Sequence, residues 1–186
     1  MSTLVFLLEE ESARELLQVI VQKLLPPEMT VRYMNFEGKQ DLEQEIVRKL
    51  RGWRTPDTAF IILRDQDAGN CKQIKQRLLD LVHESGKKEN CLVRIACHEL
   101  ENFYLGDLAA VAEGLNVPDL GKLQRKTPYR SPDDIANASE QLKKITNKKY
   151  RKIAGSRAIA RFMKLDGSNL SNSFRVLCSG IQKLGR

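Results

Sequence analysis

The sequence has no apolar run approaching the ~20 residues that a membrane-spanning helix needs. Its apolar stretches, such as Leu4 to Leu8 and Ala59 to Leu63, are of strand length, which excludes a helical membrane protein. Cys71, Cys91, Cys97 and Cys178 form no CxxC pair, and the two histidines, His83 and His98, lie fifteen positions apart. A zinc site or a disulfide framework is therefore not expected; four buried thiols in a reducing compartment are. Met1-Ser2-Thr3 leads straight into an apolar run without a basic leader, so no secretory signal is expected and a cytoplasmic location is. There is no internal repeat and no low-complexity tract.

The composition is that of a globular protein: 186 residues, 41% apolar and 30% charged, enough for one domain with a real core or a core plus a helical extension. The formal charge of +7 is unevenly placed. Residues 1–117 carry 15 Lys and Arg against 19 Asp and Glu, a net of −4, whereas residues 118–186 carry 16 against 5, a net of +11. Such a division points to a polyanionic partner, nucleic acid above all, held by the basic part. The plainer reading is a solvated basic surface that aids solubility.

Periodicity divides residues 1–117 into alternating strands and helices. Leu4 to Leu8 reads as a buried strand closed by Glu9-Glu10-Glu11, and Ser12-Ala13-Arg14-Glu15 has capping-box spacing ahead of a helix with Leu16, Leu17, Ile20 and Leu24 on one face. Thr30 to Phe36 supplies a second strand and Lys39 to Arg51 a second helix. Thr58 to Leu63 is a third strand ending in Asp65-Gln66-Asp67, followed by a helix from about Asn70 to Glu84 that closes at Gly86. Cys91 to Ala96 is a fourth strand, and an apolar helix is expected from about Asn102 to Leu115. The order predicts an α/β fold, a doubly wound sheet of about four parallel strands with flanking helices. Pro118, Gly121, Pro128 and Pro132 mark a linker into a basic, mainly helical extension over 118–186, with helices expected at Asp133 to Ile145, Ser156 to Leu165 and Leu170 to Lys183.

Three of the four strands end in acid. Ligands of parallel sheets bind beyond the carboxyl ends of the strands. If the first strand lies beside the third, in the order 2-1-3-4, Glu9, Asp65 and Asp67 converge at one switch point. Carboxylates gathered in a half-buried crevice repel one another unless a cation neutralises them, and hard oxygen ligands select Mg²⁺ or Mn²⁺. Glu99 and Glu101 are candidates for a second cation, and Lys152 for offsetting phosphate charge. Against this stands the reading of a DxD pair as a solvated turn or cap, of Glu10 and Glu11 as first-turn helix charges, and of Glu101 as another. His98 is a candidate ligand or base, though a lone His beside a strand end is more simply read as hydrogen-bonded.

A glutamate ending the first strand (Leu7-Leu8-Glu9) and a DxD ending the third (Asp65-Gln66-Asp67) resemble the topoisomerase-primase, or TOPRIM, domain. Together with Arg94 to Asp107 and Lys149-Tyr150-Arg151-Lys152, they resemble over nearly the whole chain a bacterial TOPRIM-like family of unknown function. Its members are often encoded beside an ABC-type or AAA ATPase in phage-defence operons. The resemblance implies a metal-dependent nuclease akin to the overcoming-lysogenisation-defect type. In that reading Glu9, Asp65 and Asp67 are the metal ligands, Glu99 and Glu101 further family acids, Lys152 the cation and an ATPase the partner protein. Two positions depart from the pattern: Glu10 stands where a glycine is usual and Ala13 where an acid is. The alternative is a non-catalytic subunit that binds nucleic acid or a partner. Haloacid-dehalogenase phosphatases place their DxD after the first strand, and receiver domains need Ser or Thr where Ala96-Cys97 stands, so both rank low.

Overall fold

Leu4 to Leu8 and Ala59 to Leu63 are apolar at every position, so both faces of each strand must be covered, and a sheet satisfies that demand by placing them at its centre. The computed structural model, which describes residues 3–185, does so. The elements are β1 (Thr3–Leu8), α1 (Glu11–Leu24), β2 (Thr30–Asn35), α2 (Lys39–Gly52), β3 (Thr58–Asp65), α3 (Cys71–Ser85), β4 (Cys91–Ala96), α4 (Glu101–Leu105), α5 (Leu108–Leu115), α6 (Ala138–Ile145), α7 (Lys152–Ala160) and α8 (Asn172–Leu184). The sheet order is β2-β1-β3-β4 and every pair is parallel. The α/β class and the placing of the first strand beside the third are as the sequence implied. β1 and β3 are buried along their whole lengths, while β2, at an edge, is only partly covered.

Alternation along the strands feeds two cores. Val5, Leu7, Phe60 and Ile62 meet Leu42, Ile46 and Leu50 of α2 and Leu78 and Val82 of α3 on one face. Leu4, Phe6, Leu8, Ile61 and Leu63 face a larger apolar cluster that runs through α1 and on to Leu142, Ile159, Phe174 and Ile181. One continuous cluster thus joins residues on both sides of position 117, where the charge changes sign. Each Leu or Ile fully withdrawn from water there contributes ~1.5–3 kcal/mol before the entropy of ordering is counted.

Several local expectations need correction. Ser12 does not cap α1: the N-cap is Glu10, the Ser12 hydroxyl donates to Glu10 Oε2 at 3.0 Å, and Glu15 pairs with Arg157 of α7 instead of reaching back. The apolar helix expected over 102–115 is broken into α4 and α5 at Gly106-Asp107. Asp107 caps α5 by accepting from Ala110 N, and a side chain at Gly106 would collide with Asn169 and with the Ser171 amide, which lies 2.7 Å from the place a Cβ would take. The helix expected from Asp133 begins only at Ala138, because the Asp133 carboxylate accepts from the Ser173 amide at 2.8 Å and the Ser171 hydroxyl at 2.6 Å at the start of α8. α7 ends at Ala160, short of Leu165. The four cysteines are free thiols, but only Cys91 and Cys178 are buried; Cys71 and Cys97 are partly exposed.

Candidate acidic site at the sheet edge

β1 and β3 run in register, Leu8 beside Leu63, and both stop within two residues of that pair. Glu9 and Asp65 therefore leave adjacent strands at the same edge. The Asp65 amide donates to Glu9 Oε2 at 3.1 Å, tying the two chain ends together through a carboxylate. By alternation, Asp65 shares its face with Leu63 and looks toward the helices of the basic segment, whereas Glu9 shares its face with Leu7 and looks toward α2 and α3. The edge consequently carries two linked groups of charges.

On the first side, Asp65 is 8% exposed, and its carboxyl is held well above the usual aspartate range. Burial is the main cause; the neighbouring charges of Glu10, Glu101 and Glu9 add to it, and the Leu100 amide opposes it only in part. Glu101 is 1% exposed and is also raised, first by burial, although Lys152 and a hydrogen bond from Tyr150 hold it down. The Tyr150 hydroxyl donates to Glu101 Oε1 at 2.9 Å. Lys152 Nζ bridges to Glu10 at 2.7 Å. Burial pulls the Lys152 ammonium toward deprotonation, but Glu10, Glu101 and Asp65 reverse this, and its pKa is raised. The Tyr104 hydroxyl, fully buried beside these acids, has no hydrogen-bond partner; Ser156 is near it, but its own hydroxyl donates to the Lys152 carbonyl at 2.6 Å.

On the second side, Glu9 is raised by burial and by Asp67, against the Asp65 amide and Arg64. Arg64 is buried at 7%; its Nε lies 3.9 Å from Glu9 Oε2, too far for a hydrogen bond, and its Nη1 pairs with Glu43. Asp67 sits in a left-handed turn, φ 54°, facing a second such turn at His98, φ 57°, whose carbonyl accepts from the Asp67 amide at 2.7 Å. The Asp67 carboxylate is held by Lys39 Nζ at 2.7 Å. The His98 Nδ1 lies 3.4 Å from the Asp67 carbonyl.

Of the residues singled out from sequence, Asp65, Glu101 and Lys152 gather on the first side, and Glu9, on the second, is joined to them through the Asp65 amide. Asp67 stands near enough to Glu9 to influence it but turns to Lys39. Glu99 turns away: its carboxylate accepts from the Ser139 amide at 2.6 Å and serves the start of α6. Sequence reasoning missed Glu10 as a member of the site, having taken it for a helix charge, and missed Lys39, Arg64 and Tyr104. Glu10 adjoins Glu9, and that adjacency was the one available signal. The other three are brought in by packing.

Among the described residues no three His, Cys, Asp or Glu side chains form a ready-made metal cage. The donor set nonetheless fits a hard cation that keeps most of its waters, because Mg²⁺ is commonly held by one or two carboxylates together with substrate phosphate. Glu9 and Asp65, which close adjacent strands and are tied by the Asp65 amide, are the candidates for such a pair.

Fold and site together define an all-parallel α/β protein with an acid-lined carboxyl edge facing a basic helical segment. The chain belongs to the family described as Domain of unknown function (DUF4276), whose match covers residues 8–182. No curated protein and no solved structure matches it.

Proposed function

We propose that the chain is a divalent-metal-dependent nuclease of TOPRIM-like type that hydrolyses phosphodiester bonds of DNA or RNA, with an ATPase as its working partner. The observation that carries this reading is the meeting of Glu9 and Asp65 at the ends of adjacent parallel strands, both with carboxyls raised by burial and by other acids. The strand order and the acids closing β1 and β3 support the TOPRIM likeness. Glu9 and Asp65 would hold Mg²⁺ or Mn²⁺, with Asp67 free to join once Lys39 releases it. Bound there, the cation supplies Lewis acidity and lowers the pKa of a coordinated water. Lys152 exchanges Glu10 for a phosphate oxygen and offsets charge on the reacting group. Tyr150 holds the Glu101 carboxylate in place by its hydroxyl.

The deciding experiment is cleavage of labelled single- and double-stranded DNA and RNA with Mn²⁺ or with EDTA, alone and with a candidate ATPase partner. Asp65→Ala and Glu9→Ala are expected to lower cleavage at least ~100-fold while oligonucleotide binding persists. A wild type that never cleaves, alone or with the partner, overturns the reading. A second reading, a non-catalytic binding subunit, is favoured by one observation: Asp67 is neutralised by Lys39 and does not complete a three-carboxylate cluster with Glu9 and Asp65.

A further inference from the structure

We propose that the open groove between α6 and α7 is the track for a nucleic-acid phosphate backbone and leads a strand to the acidic edge. The groove, about 680 Å³, is walled by Lys143, Lys144, Lys148, Arg151 and Lys152, with Glu140 as the sole acid on its lining. Among the described residues, none of the ion pairs engages Lys143, Lys144, Lys148 or Arg151. Four unpaired like charges around one concavity repel each other, an arrangement that a bound polyanion relieves. Exposed cations elsewhere also stand outside any of these ion pairs, Lys72, Lys75, Lys88 and Lys126 among them; what sets the groove apart is that its cations line one concavity.

The groove is held in shape by the chain beneath it. Thr146, fully buried, donates its hydroxyl to the Leu142 carbonyl at 2.7 Å and accepts from the Tyr150 amide at 3.2 Å. Asn147 and Lys148 are both in the left-handed region, φ 51° and 62°, which turns the chain sharply and lets the Lys148 amide donate back to the Lys143 carbonyl at 2.7 Å. The cations are therefore displayed on a pinned turn.

What connects the groove to the edge is that two of its lining residues each touch an acid there: Tyr150 through Glu101, at 2.9 Å, and Lys152 through Glu10, at 2.7 Å. A phosphate taken from Lys148 toward Lys152 arrives beside Asp65. Only what happens to the bound strand rests on the nuclease reading; binding does not.

The test is fluorescence anisotropy with labelled single-stranded and duplex oligonucleotides in EDTA, so that cleavage plays no part, across a salt series. Lys143→Ala/Lys144→Ala/Lys148→Ala is expected to weaken binding at least ~10-fold and to lower the slope of log affinity against log salt by about 2–3, close to one for each phosphate that is no longer neutralised. Lys72→Glu/Lys75→Glu, on exposed positions of α3, is expected to leave both unchanged, and circular dichroism checks that each variant folds. The inference is overturned if the triple variant binds as wild type does, if wild type binds no oligonucleotide, or if anionic phosphatidylserine vesicles capture the protein while oligonucleotides do not. Binding with no Mn²⁺-dependent cleavage would instead defeat the nuclease reading and leave the groove standing.

Discussion

Asp65→Asn should make the metal-free protein more stable, and increasingly so as pH rises. Asp65 is buried, faces Glu9, Glu10 and Glu101, and has a folded-state pKa well above its ordinary 3.8. A carboxyl raised in this way contributes stability that is complete below the unfolded-state value and is lost as pH rises through the folded-state value. Asparagine has nearly the same shape and cannot ionise, so it avoids that loss. Each unit of displacement between the two states represents about 1.4 kcal/mol, and single stabilising substitutions commonly gain ~0.5–2 kcal/mol. A gain of ~1 kcal/mol at pH 7.5 in EDTA corresponds to a Tm rise of about 2–4 °C for a chain of this length. The assay is thermal melting of wild type and variant from pH 4 to 8, repeated with Mn²⁺. Ligand at 100 times its Kd stabilises a native state by ~2.7 kcal/mol, so Mn²⁺ should raise the wild-type Tm and leave Asp65→Asn nearly unmoved. An amide that packed badly would shift the variant's curve by a constant amount. A gap between the two proteins that stays flat with pH would refute the reasoning.

Four further outcomes follow from the packing. Tyr104→Phe should stabilise the protein by ~1 kcal/mol in urea unfolding, since it removes a buried hydroxyl without a partner, whereas Tyr150→Phe should cost ~1–3 kcal/mol by leaving the buried Glu101 without its donor. Gly114→Ala should cost ~1–3 kcal/mol, because the new Cβ would stand 2.8 Å from Ile159 Cα and 2.9 Å from the Ala158 carbonyl, where backbone of α7 meets α5. Arg157→Ala should lower the Tm by no more than about 3 °C near neutral pH, the guanidinium being more than half in solvent although Glu15 is buried. The Arg157 guanidinium depresses the Glu15 pKa, so this pair's contribution is present above the ordinary glutamate value and disappears as pH falls through the depressed one; melts at pH 3 and 7 check it.

Much of the fold was legible because its signals are local. Leu4 to Leu8 and Ala59 to Leu63 announce fully covered strands by composition alone, and Gly86, left-handed at φ 76°, ends α3 where the periodicity stops. Where local signals misled, a remote partner had claimed the same side chain. Ser12 and Glu15 have capping-box spacing, yet Arg157 takes Glu15; Asp133 suits a helix start, yet the beginning of α8 takes it. The candidate site divides in the same way. Glu9, Asp65 and Asp67 could be read from strand ends, but the turning of Glu99 to Ser139 and of Asp67 to Lys39 could not.

By itself, the sequence determined the alternation of strands and helices, the acids that close β1 and β3, and the change of charge after residue 117, because each is written in neighbouring residues. Only tertiary structure decided which acids share a pocket. Lys152 meets Glu10 across 142 positions of chain and Tyr150 meets Glu101 across 49. Such meetings depend on how α1 and α7 pack against one another, and the free energy that sets that packing is a sum over the whole buried core, not a property of the residues that meet.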